Sequence, residues 1–212
     1  MVLKRLPRLK DSSLTPEAAF GGTFHINETW SQLQKGFEAA ESGAIPDPLP
    51  CEIYCHSLSD PSILSPELQE SGAQTLTVFG LHVPHRLTQS MENGSLRTAL
   101  QEAVVASLNS VLAEPLEDVI LHDADGNLCI ETKTTRDLED ALGLPGGNIF
   151  HGPLEWPFVE DDEDLSTPER RWGVATPDEG VFLCGSGARR GGAVSGIAGH
   201  NAAMAVLERE SL

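Results

Sequence analysis

The sequence predicts an α+β protein. Apolar residues recur at helical spacing in some segments and form short extended runs in others, without a regular strand–helix–strand alternation. Aromatic residues make up only 5% of the 212 residues, so the core must consist mainly of Leu, Val, Ile and Ala. That length allows one or two compact domains. We therefore expect a mixed sheet with helices rather than a complete doubly wound sheet.

The first half of the chain contains one predicted helix and two predicted strands. Residues 11–27 are rich in Ser, Thr, Gly and Pro and predict a loop. Apolar residues at helical spacing predict a helix over 29–40, and 51–55 is a short strand candidate. The run 74–83 is apolar on both faces, which indicates a strand in the interior of a sheet.

The second half begins with the clearest helix. Ser95 is predicted to cap it, and its apolar stripe extends to residue 111. Asp125-Gly126 predicts a hairpin turn. Thr134 or Thr135 is then expected to cap a short helix that ends at residue 142.

Two glycine-rich segments lie in the last third of the chain, around 146–152 and 185–192. Between them, residues 155–170 carry the acidic run at 160–164 and few apolar anchors, which predicts a mobile surface loop.

The charge balance limits the partners. With 14 basic and 32 acidic residues the net charge is −18, so neither nucleic acid nor an anionic membrane surface is an expected partner. The first ten residues are basic but lack the apolar core of a secretory signal, and no apolar run approaches membrane-spanning length. We expect a cytoplasmic protein, or one of the mitochondrial matrix if the source is eukaryotic.

The cysteines and histidines predict no metal site. The four cysteines form no paired framework, which favours reduced thiols, and Cys184 within an apolar run is expected to be buried. His56, His82 and His85 lack carboxylates at a supporting spacing. We therefore expect no metal-binding residues.

The most informative segment is 181–203, in which a short apolar run enters a glycine-rich turn that opens into a small-residue helix. Gly185-x-Gly187-x-x-x-Gly191 is close to a dinucleotide-binding pattern. A complete nucleotide-binding unit also needs a second parallel strand and an acidic residue about 20 positions further on. Glu208 has roughly that separation, but no second strand follows it. This segment is expected to complete a site rather than to form one alone.

The segment 183–203 resembles the C-terminal flavin motif of phytoene desaturase-like FAD-dependent oxidoreductases. Within that superfamily it is most similar to the pyridine nucleotide-disulfide oxidoreductase domain-containing group, relatives of carotenoid desaturases and isomerases. The segment 143–152 matches in the same order along the chain. Weaker matches occur earlier, at Leu6-Pro7, Gly43 with Pro46, and Asp60-Pro61-Ser62.

The resemblance implies that 1–142 belongs to a substrate domain. It implies that 143–212 supplies the final strand and helix of an incomplete, Rossmann-like FAD-binding domain, so the chain corresponds to a C-terminal part. The implied cofactor is FAD, and Gly185 would lie where its ribityl-phosphate passes. The backbone that would lie against the isoalloxazine edge is that of Gly191, Gly192, Ala193 and Val194. A helix N-terminus at that edge would stabilise negative charge on a reduced flavin.

His151 is the candidate for a catalytic residue, on a surface facing flavin or substrate. The chain departs from the family pattern at Ala193, where a glycine is usual, and at Arg189-Arg190, which replaces a His-Pro-like pair. A glycine position that needs positive φ would disfavour alanine.

The resemblance further implies the partners and the activity. The N-terminal nucleotide-binding half would come from elsewhere, or from a separately encoded partner, so FAD binding by this chain alone is not expected. When completed, the enzyme would be desaturase-, isomerase- or amine-oxidase-like and would act on an apolar or amine small molecule. The alternatives are a non-catalytic relic or interaction domain and one half of a split flavoenzyme, and whether this chain is itself an enzyme stays open.

Overall fold

The structure, a computed structural model, describes residues 1–151, 156, 158–189 and 195–211. The chain divides into two compact units, Met1–Arg136 and Asp137–Leu212. The described helices are α1 (Pro16–Phe20), α2 (Trp30–Glu41), α3 (His56–Ser59), α4 (Pro66–Glu70), α5 (Leu87–Ser90), α6 (Asn93–Val111), α7 (Leu116–Val119), α8 (Thr135–Leu142), α9 (Pro168–Arg171) and α10 (Ile197–Glu210). The described strands are β1 (Val2–Leu3), β2 (Phe24–Ile26), β3 (Cys51–Tyr54), β4 (Gln74–Thr75) and β5 (Thr77–Gly80).

The α+β class is confirmed. Within the described residues the strands form two small sheets, ordered β1-β4 and β2-β3-β5, and every pairing is antiparallel. The expectation of a mixed sheet is therefore wrong for this part of the chain. The observed division into units lies at the N-terminal end of α8, whereas the predicted boundary lies at its C-terminal end.

The first unit has one main hydrophobic core. Its buried side chains come from the N-terminal segment, from α1, from β2 and β3, and from the second half of α6 through α7. They include Leu3, Phe20, Ile53, Leu108 and Ile120. Ser107 of α6 donates a hydrogen bond from Oγ to the Leu49 carbonyl oxygen over 2.8 Å, which joins the helix to the segment that leads into β3. A buried hydroxyl paired in this way avoids the desolvation penalty of an unmade bond.

The prediction of a loop over 11–27 is wrong for two parts of the segment, which form α1 and β2. Thr15 caps α1 by accepting a hydrogen bond from Ala18 N at 3.2 Å, and β2 follows. Phe20 is fully buried and packs edge-on against Phe24, with ring centroids 5.1 Å apart. A five-residue helix is too short to show a periodic pattern, so tertiary burial decides its formation.

The run 74–83 does not form one interior strand. It divides at the buried Leu76 into β4, which pairs with β1, and β5, which pairs with β3 at the end of the three-stranded order. Phe79 on β5 is about half exposed and packs edge-on against Tyr54. The run 74–83 contributes a strand to each of two sheets. Apolar residues on both of its faces therefore do not require a strand in the interior of one sheet.

The predicted helices of the first unit are confirmed with small changes. The helix expected over 29–40 is α2, which begins with a capping box formed by Thr29 and Gln32. The helix expected from Ser95 is α6. It begins at Asn93 because the Glu92 carboxylate accepts hydrogen bonds from Gly94 N and Ser95 N, at 2.8 and 2.7 Å.

The second unit has a small core around α10. Val174, Ala202 and Ala205 are buried together, and Trp172 and Phe182 pack against them. Leu183 N donates to the Val174 carbonyl oxygen over 2.9 Å, so the chain before the last glycine-rich turn runs beside residue 174. Small residues let α10 approach this segment closely.

Candidate functional site

The last glycine-rich turn follows an extended segment. Ala175 and Phe182 form an isolated antiparallel bridge, and no strand is assigned to 181–184. The expected closing strand is therefore reduced to a single bridge. Its neighbouring apolar residues Val181 and Leu183 are exposed, and so is Cys184, which corrects the expectation of a buried thiol. Burial supplies the driving force for a paired strand, and these side chains lack it.

Gly185 begins the turn. Its carbonyl oxygen accepts a hydrogen bond from Ala188 N at 3.0 Å, and Ala188 is buried beneath the turn. A Cβ placed on Gly185 would meet no atom within 4 Å, so the backbone is bare on that side. A bare glycine backbone is what close approach of ligand phosphate or ribityl atoms requires.

The helix that follows is α10, whose N-cap residue is Gly196. A Cβ on Gly199 would lie 3.8 Å from the Cys184 carbonyl oxygen, so the first turn of the helix lies beside the end of the extended segment. Ala198, Asn201, Ala202 and Ala205 form the buried side of the helix. Its small residues therefore serve packing.

The second glycine-rich segment forms a compact turn before residue 152. Gly146 and Gly147 both have positive φ, 62° and 64°, which L-residues with side chains rarely adopt. Asn148 holds the turn by accepting from Phe150 N at its side-chain oxygen and from His151 N at its carbonyl, both over 2.9 Å. His151 itself has φ 65° and is exposed.

The two glycine-rich turns meet within the second unit. A Cβ placed on Gly187 would lie 3.5 Å from the Cβ of His151. The sequence predicted both turns but gave no distance between them. The turn at 145–151 and the turn at 185–189 together form one surface, which we call the glycine surface.

Arg189 connects the acidic segment to the glycine surface. Its guanidinium forms an ion pair with Glu163 and donates to the backbone carbonyls of Trp156 and Phe158, over 3.2 and 3.3 Å. Sequence reasoning noted Arg189 only as a departure from a family pattern. One signal in the sequence could have suggested the contact, since the Arg189-Arg190 pair and the run at 160–164 carry opposite charges.

Apolar side chains are exposed around this connection. Trp156 and Phe158 have 62% and 64% of their surface exposed, and their rings lie 5.2 Å apart between centroids. Ile149 and Phe150, in the first of the two turns, are also exposed. An exposed apolar group beside a bare glycine backbone can receive a flat aromatic ligand, an apolar substrate or another protein surface.

Four of the predicted cofactor-binding residues, Gly191, Gly192, Ala193 and Val194, lie outside the described residues, as does Gly152 at the end of the other turn. Gly185 and His151 are described and belong to the glycine surface. The roles assigned to all six stay predictions.

Glu208 has a structural role. Its carboxylate accepts from Trp172 Nε1 at 2.8 Å and from Arg171 at 2.5 Å, and these hydrogen bonds lower the pKa of Glu208. Asn201 donates to the Trp172 carbonyl oxygen over 3.1 Å in the same cluster. The carboxylate thus joins α9 to α10.

All four cysteines are free, and burial raises the pKa of Cys51 to about 11, so its thiol stays protonated at neutral pH.

Among the described residues, no helix combines the length and apolar character needed to cross a membrane.

Comparison with known proteins gives two groups of relatives. Uncharacterized proteins of Mycobacterium tuberculosis and Mycobacterium bovis are 65% identical over 207 residues, which is 98% of this chain and 38% of theirs. Pyridine nucleotide-disulfide oxidoreductase domain-containing protein 2 of Rattus norvegicus is 32% identical over 198 residues, and that of Mus musculus is 30% identical over 195. The chain is a distant relative of this oxidoreductase group.

The aligned region covers 91% of this chain but 31% of the rodent proteins, so the chain spans about a third of the curated relatives it matches. No protein-family profile matches it, and no solved structure does. The relationship to the group therefore rests on sequence identity along nearly the whole chain.

Proposed function

We propose that the second unit forms one wall of a flavin site in an FAD-dependent oxidoreductase of the desaturase, isomerase or amine-oxidase kind. The observation that carries the proposal is the meeting of the two glycine-rich turns, with 3.5 Å between a Cβ on Gly187 and the Cβ of His151. Both turns are the segments whose sequences resemble that family. The relatives bear the name of an oxidoreductase domain, and proteins of that class typically use FAD.

The described residues fit a flavin in two respects. The bare backbone at Gly185 leaves room for phosphate or ribityl atoms, and the start of α10 offers N–H groups that favour partial negative charge. A bound flavin would accept a hydride from an apolar or amine substrate. The chain's own part is to place backbone N–H groups, and to hold the Trp156 and Phe158 segment against the glycine surface through Arg189.

The remaining contacts of the cofactor would come from other polypeptide, either elsewhere in a longer protein or in a separately encoded partner. The relatives leave ample length for such a half, because the aligned region is 31–38% of their chains. In this proposal the first unit serves as part of the substrate domain, and the assembly is cytoplasmic.

The test is to add an affinity tag to the chromosomal copy and to purify the protein natively with whatever it is joined to or assembled with. We expect about one flavin per chain, released by acid and measured by absorbance. Gly185→Ala should weaken flavin affinity at least about tenfold, because a Cβ would occupy the ligand's space. Gly22→Ala is the matched control, since its Cβ also meets no atom within 4 Å but lies in the first unit.

A colourless, flavin-free assembly would contradict the proposal. Equal flavin content in Gly185→Ala and Gly22→Ala would contradict the place assigned to Gly185.

The second candidate is a non-catalytic interaction or relic domain that keeps the fold without the cofactor. The exposed Trp156 and Phe158 favour it, because such side chains also suit a protein partner. Calorimetric titration of the natively purified assembly, stripped of small ligands, with FAD separates the two. Micromolar binding or tighter supports the flavin site, and the absence of binding supports the interaction domain.

A further inference from the structure

A cluster of metal-ligand residues lies in the first unit, away from the two glycine-rich turns in sequence. His25, Glu28 and Glu52 each offer one ligand atom, and these atoms all lie within 4.8 Å of one another. His25 on β2 pairs directly with Glu52 on β3 in the antiparallel register. Directly opposed residues point to the same face of a sheet, so the register itself brings the imidazole and the carboxylate together.

Asn27 turns the chain so that Glu28 joins them. It has φ 59°, in the left-handed region, and its side-chain amide donates to the Leu49 carbonyl oxygen at 3.1 Å and to Ser107 Oγ at 3.2 Å. The turn places Glu28 Oε2 2.8 Å from His25 Nδ1. Helix α2 begins directly afterwards, so the cluster is fixed between a sheet and a capped helix.

The carboxylate of Glu28 has one unpaired oxygen. Its side chain is only 15% exposed, and within the described residues Oε1 is buried without a hydrogen-bond partner. A buried carboxylate oxygen in this state costs free energy unless something pairs with it. Glu52 is held differently, because Tyr54 donates its hydroxyl to Glu52 Oε2 over 2.9 Å.

We propose that His25, Glu28 and Glu52 form a binding site for a divalent first-row transition ion such as Zn²⁺. One imidazole nitrogen and two carboxylate oxygens are ligands that such ions accept, at metal–ligand distances of about 2.0–2.2 Å. Ligand atoms around a tetrahedral ion of that kind are roughly 3.3 Å apart, a separation that the cluster reaches with small side-chain shifts. Bidentate coordination by Glu28 would also give Oε1 its missing partner.

The arrangement leaves room for an exchangeable ligand. Three protein side chains leave a position for water or a small anion, the fourth when Glu28 binds through one oxygen and the fifth when it binds through both. Tyr54 would act as a positioning residue, because its hydrogen bond fixes the orientation of Glu52. The sequence alone does not bring these residues together, because Glu52 lies far from His25 in sequence and only the β2–β3 register joins them.

The test is Zn²⁺ binding to the full chain, measured by competition with a chromogenic chelator at 0.15 M salt with excess Mg²⁺. These conditions suppress loose cation binding by a surface of net charge −18. We expect a dissociation constant below about 10 μM. His25→Ala and Glu52→Gln should each weaken binding at least about tenfold.

Two variants are matched controls: His122→Gln and Glu70→Gln remove exposed residues of the same types outside the cluster and should bind Zn²⁺ as the wild type does. Co²⁺ added to the wild type gives a readout that needs no variant. Visible d–d absorption that disappears when Zn²⁺ displaces the Co²⁺ supports a coordinated site. Wild-type affinity weaker than about 10 μM would overturn the proposal. Equal affinity in the cluster variants and the controls would overturn it too, because the ion would then be held only by diffuse surface charge.

Discussion

At the scale of single residues, Glu114 illustrates how one carboxylate joins distant parts of the chain. It accepts two hydrogen bonds from the Arg5 guanidinium, at 2.7 and 2.8 Å, and one from Arg8 N at 3.0 Å. These contacts hold the pKa of Glu114 well below its usual range. The basic N-terminal residues, which composition alone describes only as charge, thus attach the N-terminal segment to the loop after α6.

Glu114→Gln should lower the free energy of unfolding by about 1 kcal/mol at pH 7, because it removes charge-assisted bonds to partly exposed arginines. Because folding lowers the pKa of the Glu114 carboxyl, that group stabilises the fold at pH values above its pKa in the unfolded state. The stabilisation is lost as the pH falls through its pKa in the folded state. The difference between wild type and variant should therefore shrink below about pH 4.5. Urea unfolding at pH 7 and pH 3 measures it, with Glu70→Gln as the exposed control.

A Glu114→Gln difference that is the same at both pH values would contradict the assignment, and so would the absence of a difference at pH 7.

At the scale of elements, α1 is the sharpest test of the fold, because sequence patterning assigned its residues to a loop. Phe20→Ala should lower the free energy of unfolding by about 3–5 kcal/mol, since a fully buried ring packed on Phe24 is removed. Leu14→Ala, at an exposed position just before α1, should change it by less than about 0.5 kcal/mol. Chemical denaturation measures both, and equal effects would show that α1 is not part of the core.

The elements that sequence predicts well are those with long periodic patterns. The apolar stripe of α6 and the threonines at the predicted start of α8 are local signals, so these helices form close to where they are expected. The division of 74–83 between two sheets depends on where β1 and β3 lie, which no local pattern encodes. Likewise, the buried residues of α2 are Gly36 and Ala40, whereas its large apolar residues Trp30 and Phe37 are exposed.

The candidate site shows the same limit. Both glycine-rich turns could be identified from their glycine content. In the turn at 145–151 two of these glycines, Gly146 and Gly147, adopt positive φ. The contact between Gly187 and His151 and the pairing of Arg189 with Glu163 are tertiary, and spacing in sequence does not predict them.

At the scale of the whole molecule, the exposed apolar side chains of the second unit predict association. Trp156, Phe158, Val181 and Leu183 are all more than a third exposed. We expect the isolated chain to form oligomers whose size rises with concentration in sedimentation velocity, because burial of these side chains is favourable. The double variant Trp156→Ser with Phe158→Ser should shift the protein toward monomer, whereas Leu14→Ser should not. A monomer at all concentrations would contradict this.

The most direct test of the central claim is amide hydrogen exchange of the natively purified protein, compared before and after its flavin is removed. We expect slower exchange with flavin bound in peptides that cover 145–151 and 181–203, and unchanged exchange in α6. Bound flavin without slower exchange in either glycine-rich turn would contradict it.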